Sequence, residues 1–239
     1  MYIRLNGQNR MKLSIIIPVY NEEKTILGVI ERAKRVRLSV SKEIIVVDDH
    51  SIDNTSSILK KNEDSNVKVL RHKKNYGKGM AVRTALNHAT GDIILIQDAD
   101  LEYSPEEYPK LIGPILNGAY VVYGTRLGYI KKNVKDMYWL HYFGNKLLTL
   151  LTKIIYGSNI TDMETGYKVF RKEVLSGIKL RARRFDFEPE ITAKILKKGY
   201  SIVDVPISFN ARKFEEGKKI TWKDGIIALV CLIKYRFVD

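Results

Sequence analysis

With 239 residues, 45% of them hydrophobic, the chain is long enough to bury one sizeable core without disulfide or metal staples. Its 41 basic against 27 acidic residues leave a formal charge of +14, which points to an anionic partner: nucleic acid, an anionic membrane surface or a phosphorylated substrate. The lone Cys231 excludes an internal disulfide, and neither the N-terminal "MYIRLNGQNRMK" nor the apolar run "GIIALVCLI" is long enough for a signal peptide or the ~20-residue span of a membrane helix, so a cytoplasmic protein that can lie on a membrane is expected.

From residue 12 to 124, short apolar runs alternate with helix-like stretches. "KLSIIIPVY", "KEIIVVDD", "VKVLRH", "DIILIQDAD" and "AYVVYGTR" read as strands. Between them, Ile26, Ile30 and Ala33, and later Ala81, Ala85 and Leu86, recur at helical spacing. Continuous β-branched runs separated by helices predict a mainly parallel sheet covered on both faces, a doubly wound α/β domain. After "DIILIQDAD", Ser104, Pro105 and Glu107 predict a capping box that opens a helix. Beyond residue 125, aromatic, aliphatic and lysine residues mix without repeat or linker, so the second half reads as an elaboration of the same domain.

The acids fall where a parallel sheet gathers its ligands, beyond the carboxyl ends of strands. Asp48 and Asp49 follow "IIVV", and Asp98 and Asp100 follow "IILI". Residues two apart in extended chain point to one side, so Asp98 and Asp100 can converge across Ala99. Like charges held close call for a cation between them, and a divalent metal that also binds phosphates is the natural candidate. Aspartates also frequent strand ends simply as caps and turn formers. The glycines of "NYGKGMAVRTAL" read as a tight strand-to-helix turn, with Lys78 as a candidate donor contact, and the four histidines show no metal-ligand spacing.

"PVYNEE", "VVDDHSIDNT", "DADLEYSPEE", "GTR" and "TDMETGYKVFR" occur in that order between residues 18 and 171. Together they resemble the family 2 glycosyltransferases of the GT-A fold, in particular the polyprenyl-phosphate sugar synthases of the dolichol-phosphate mannose synthase type. The resemblance implies a Rossmann-like GT-A domain over residues 12–220, with residues 221–239 as an amphipathic, membrane-associated helix. It implies a nucleoside pocket lined by Pro18, Tyr20, Glu22 and Asp49, with Asp98 reaching the nucleotide, and Mg²⁺ or Mn²⁺ held by Asp98, Asp100 and Glu102. Where this chain has Glu102 the family often has Gln. The same resemblance assigns Asp162 and Arg126 to catalysis, and Arg126, Arg212, Lys218 and Lys219 to the diphosphate and the acceptor phosphate; the last three stand in a segment slightly longer than is usual there.

The acceptor decides what further chemistry is needed. A sugar hydroxyl requires a general base, for which Asp162 or Glu164 is a candidate. A lipid phosphate is already anionic near neutral pH and requires cations to position it. Residues 131–156, written as a helix, carry Trp139, Tyr142, Phe143, Leu147, Leu150 and Ile154 on a broad face with Lys146 and Lys153 at its margins, and "KDGIIALVCLIKYRF" has the same character. Two such segments in a basic chain suit contact with anionic lipid. The reading is therefore an inverting transferase that moves a sugar, glucose or mannose first, from a UDP- or GDP-linked donor to a polyprenyl phosphate on the cytoplasmic face of a membrane, with a membrane-protein partner as a further candidate. Its rivals are a family 2 enzyme extending a saccharide hydroxyl, and a nucleic-acid-binding protein, for which the chain offers no reader motif.

Overall fold

The computed structural model describes residues 11–126, 139–211 and 222–238. The apolar runs fold as expected: β1 (Lys12–Val19), β2 (Ser41–Asp48), β3 (Val67–Arg71), β4 (Ile93–Ile96) and β5 (Val121–Thr125) alternate with α1 (Ile26–Arg35), α2 (Thr55–Lys61), α3 (Lys78–Leu86) and α4 (Tyr108–Leu116). Then follow α5 (Trp139–Tyr156), β6 (Lys168–Arg171), α6 (Phe187–Lys197), β7 (Ile202–Pro206) and α7 (Trp222–Phe237). Among the described residues the seven strands form one sheet in the order β3-β2-β1-β4-β6-β5-β7. Every pairing is parallel except those of β6, which runs antiparallel between β4 and β5.

Strand alternation sends side chains to two cores. Ile15 and Ile17 of β1, Ile44 and Val46 of β2 and Leu95 of β4 pack with α1 and α4, whereas Ile16, Ile45, Val47 and Ile96 pack with α3 and α6. Ile26, Ile30 and Ala33 are fully or almost fully buried, as their spacing predicts, each isoleucine worth about 1.5–3 kcal/mol over exposure. A third cluster joins Leu148 of α5 and Ala193 of α6 to Ala228, Cys231, Leu232 and Tyr235 of α7.

One local expectation is corrected. The capping box at Ser104 does not form. Residues Pro105–Glu107 make a 3₁₀ turn ahead of α4, and Ser104 receives Arg32 Nη2 at 2.6 Å while donating to Glu106 at 2.5 Å. Glu107 instead meets Lys110 at 2.8 Å and accepts from the Ser208 hydroxyl. A tertiary partner has outcompeted the local cap. On α5, the inward side is the more polar one, Asn145, Leu148, Thr149 and Thr152, while Phe143, Leu147, Leu150 and Ile154 are 52–70% exposed.

Candidate active site

A cavity of about 460 Å³ opens at the carboxyl ends of β1, β2, β4 and β5. It brings together Pro18, Tyr20, Glu22, Asp49, Asp98, Asp100, Glu102 and Arg126, each expected there from the sequence. A wider groove of about 860 Å³ between α3 and residues 172–180 contains none of these residues, so the chemistry belongs to the smaller cavity. Arg212, Lys218 and Lys219, and the side chain of Trp139, lie outside the described residues.

The loop after β4 is fixed from beneath by Gln97. Its Oε1 accepts the hydroxyls of Tyr108 and Tyr167 at 2.8 and 2.7 Å, and its Nε2 donates to the carbonyls of Asp98 and Tyr103. Asp100 Oδ1 accepts the Glu102 N–H at 3.1 Å, and Leu101 between them takes a positive φ of 60°. Gly166 is obligatory opposite this loop, because a Cβ there would lie 2.1 Å from Asp98 Oδ2. Lys78, at the start of α3, reaches Asp98 Oδ1 and Glu188 Oε1, both at 2.7 Å. Burial alone would lower its pKa, yet the two carboxylates hold it well above the ordinary lysine value. The glycine-rich stretch is thus more than a turn, since it delivers an ammonium to the centre of the site.

Asp49 organises the side of the cavity beyond β2. It accepts the N–H groups of Tyr76 and Gly77 at 2.9 and 2.6 Å. His72 lies 2.6 Å away through Nδ1 and holds Thr84 Oγ1 at 2.9 Å through Nε2. This histidine, given no chemistry by its spacing, therefore positions a cavity carboxylate.

Asp162 stands apart from the other expected residues. It has no solvent exposure and does not line the cavity. Its oxygens accept Arg126 Nε and Nη2 at 2.7 Å each, the Arg126 N–H at 3.1 Å and Asn145 Nδ2 at 2.9 Å. Burial would raise its pKa, but the guanidinium and these donors hold it below the usual carboxylate value. The carboxylate therefore lies behind Arg126 with both oxygens engaged. Two further acids line the cavity, Glu164 and Glu188. Glu164 Oε1 and Glu188 Oε2 are buried without a hydrogen-bond partner. Burial, helped by the charge of Glu188, pushes the Glu164 carboxyl up to about 7. Beneath them Lys168 donates to the carbonyls of Met163 and Thr165, and burial pushes its pKa down. Sequence reading missed Glu188 because no motif it used extends to α6; the pair Glu188–Glu190 in the first turn of that helix was the available signal.

For a divalent cation the donor chemistry fits: oxygen ligands only, with two orphaned carboxylate oxygens in the same cavity. Among the described residues, however, no three acidic, His or Cys side chains are gathered closely enough to hold an ion unaided. The expected trio of Asp98, Asp100 and Glu102 is thus not a closed cage, because Asp98 is turned to Lys78 and Asp100 to the loop backbone. Such a site suits an ion that takes one or two carboxylates from the protein and the remainder from substrate phosphates and water.

The profile described as "Glycosyl transferase family 2" matches residues 14–178. A dolichol-phosphate mannosyltransferase of Pyrococcus furiosus is 36% identical over 219 residues, covering 87% of this chain and 59% of that protein, so the chain spans about three fifths of that relative's length. Among solved structures, glucosyl-3-phosphoglycerate synthase of Mycobacterium tuberculosis with uridine diphosphate aligns at a TM-score of 0.74 and 20% identity, over 96% of this chain and 81% of that one. The same enzyme with Mn²⁺, uridine diphosphate and phosphoglyceric acid aligns at a TM-score of 0.73 and 19% identity, over 96% and 80% of the two chains. These structures share the mainly parallel, helix-covered sheet.

Asp162→Asn should lower the stability to urea by about 3–5 kcal/mol, because it leaves the buried Arg126 charge without its counter-ion. Unaltered stability with lost turnover would return Asp162 to a catalytic role. Glu164 gives the opposite pH signature to an ordinary paired acid. Its folded-state pKa is raised, so its stabilising contribution is complete below about pH 4.5 and lost as pH rises through about 7. Melting curves at pH 5 and 8 should show the wild type losing about 1–2 kcal/mol more than Glu164→Gln, a modest figure because part of Glu164 is open to the cavity.

Proposed function

The chain belongs to glycosyl transferase family 2, and from that premise we propose that it transfers a sugar from a nucleoside diphosphate donor to a polyprenyl phosphate at a membrane surface. The observation that carries the acceptor half is the outward apolar face of α5 and α7. Phe143, Leu147, Leu150 and Ile154 on one helix, and Ile226, Ile227, Val230, Ile233 and Phe237 on the other, are each 48–81% exposed, while the two helices pack together through their inner sides. Exposed apolar surface of this extent is costly in water and suits burial at a headgroup boundary. Lys146, Lys234 and Arg236 are exposed on the same helices and suit anionic lipid. No helix among the described residues is long and apolar enough to cross a membrane.

From that face to the cavity is one helix and one ion pair. Asn145 on the inner side of α5 grips Asp162, which holds Arg126 in the cavity wall. An acceptor phosphate at headgroup level would then need to travel only about a helix diameter, ~10 Å, to reach Arg126. Likeness to a dolichol-phosphate mannosyltransferase supports this acceptor and a mannosyl donor. Likeness to an enzyme solved with uridine diphosphate and Mn²⁺ supports a nucleotide-linked donor and a divalent ion. In this reading Asp98, Asp100 and Glu102 would hold Mg²⁺ or Mn²⁺, which when bound offsets charge developing on the leaving diphosphate. Lys78 spaces Asp98 from Glu188 and faces the same leaving group. Arg126 orients the acceptor phosphate, whose anionic oxygen needs no base, and a single displacement inverts the anomeric centre. Pro18, Tyr20, Glu22 and Asp49 take the nucleoside, and Arg212, Lys218 and Lys219 the phosphates. Residues 12–220 form the catalytic domain and residues 221–239 its membrane-associated end, on the cytoplasmic face.

A second reading, transfer to a hydroxyl acceptor, is favoured by the unpartnered oxygens of Glu164 and Glu188, which would supply the base that such an acceptor requires.

Incubation with Mn²⁺, a short polyprenyl phosphate and UDP- or GDP-linked sugars should yield a sugar-phosphate-lipid by mass spectrometry, lost on chelation and restored by metal. Product on a saccharide or phosphoglycerate hydroxyl with none on lipid would select the second reading. The wild type should co-sediment with vesicles containing anionic lipid. Phe143→Ser/Leu147→Ser should weaken that binding at least about tenfold without lowering the melting temperature, since both side chains are exposed. Absence of lipid binding by the wild type would remove the membrane half of the proposal.

A further inference from the structure

We infer that Arg184 is the guanidinium that binds and orients the donor diphosphate, an assignment that rests on the donor reading above. The cavity wall carries seven carboxylates against three cations, Lys78, Arg126 and Arg184. A diphosphate cannot enter such a wall without counter-charge. Two of the three cations are already committed: Lys78 is shared between Asp98 and Glu188, and Arg126 gives Nε and Nη2 to Asp162, which leaves Nη1 for the acceptor phosphate. Arg184 differs, because among the described residues its guanidinium has no hydrogen bond or ion pair, and the residue is exposed at the cavity mouth.

Its placement is built. The Arg184 N–H donates to Asp186 Oδ1 at 2.7 Å, and the neighbouring Arg183 carbonyl accepts the Met80 N–H at 3.1 Å, which seats the loop on the first turn of α3. Gly77 makes that contact possible. A Cβ there would stand 2.4 Å from Arg183 O and 2.7 Å from Arg184 Cγ. Arg184 therefore stands beside the amino end of α3, the positive end of the helix dipole. A planar fork with five donors matches phosphate oxygens in pairs, and at this end of the cavity it would meet the diphosphate whose nucleoside lies beside Asp49 and Asn75.

The test is calorimetric titration of UDP, GDP, uridine and guanosine, with and without Mn²⁺, into the full chain and into Arg184→Ala, Arg184→Lys and Arg183→Ala. Arg183 carries the same charge one residue away and does not line the cavity. Arg184→Ala should weaken nucleoside diphosphate binding at least about tenfold and leave nucleoside binding and the melting temperature unchanged, with Arg184→Lys recovering part of the loss and Arg183→Ala behaving as wild type. Unchanged diphosphate affinity in Arg184→Ala, or an equal loss in Arg183→Ala, would overturn the assignment and leave the donor reading standing. A wild type that binds neither diphosphate would overturn both.

Discussion

Asp162 is the point on which the site is hung. Its carboxylate has no solvent exposure and is closed by four N–H donors: three from Arg126 at the end of β5 and one from Asn145 in α5. Two opposite charges taken out of water stabilise little in net terms, but removing either leaves the other stranded. What such a pair supplies is position. It fixes the guanidinium in the cavity wall, ties the loop before β6 to the strand end it must face, and binds α5 to both. Thr149 extends the link by accepting the Met163 N–H at 3.1 Å. The polar inner side of α5 follows from this, and with it the outward turn of its apolar residues.

The strand ends around the cavity hold strain that the sheet supports. Asn21 after β1, His50 after β2 and Leu101 after β4 all take positive φ, of 52°, 66° and 60°. Each such residue costs about 1–3 kcal/mol and persists only where its surroundings over-determine it. Side-chain caps provide that here: Asn21 Oδ1 accepts the Ile52 N–H, Asp48 Oδ1 the Ser51 N–H and Asp100 Oδ1 the Glu102 N–H. Strain gathered at three strand ends lets side chains from separate loops face one cavity, while the strands beneath remain in regular register.

The sheet was legible in the sequence because its strands are continuous β-branched runs, and the acids were legible because chain order alone puts them at strand ends. Properties that depend on distant partners were not. Glu107 belongs to a local capping pattern, yet Ser208, 101 residues away, takes it. Asp162 and Glu164 stand two residues apart in one motif, and only the fold turns the first to Arg126 and opens the second to the cavity. Glu188 and Arg184 enter the site because β6 reverses direction between β4 and β5 and sends the chain into α6 beside α3. A four-residue antiparallel strand offers no periodicity from which that reversal could be read. For α5 the apolar face was correctly found, and only tertiary structure could say that it points outward.

Charge is distributed in opposite senses over the surface and within the site. The chain as a whole carries +14, but the cavity wall is acidic. A net positive charge attracts polyanions in general, over distances limited by the Debye length of ~8–10 Å. Inside, the same anions meet carboxylates and are stable only with a cation brought in or already waiting. The net charge therefore attracts many polyanions, whereas the acidic cavity wall opposes any that enter without counter-charge. Nucleic acid would satisfy the first condition through its backbone, but a cavity of about 460 Å³ is of a size for a nucleotide-linked sugar. The fold produces this change of sign between net charge and cavity by collecting acids at the carboxyl ends of parallel strands.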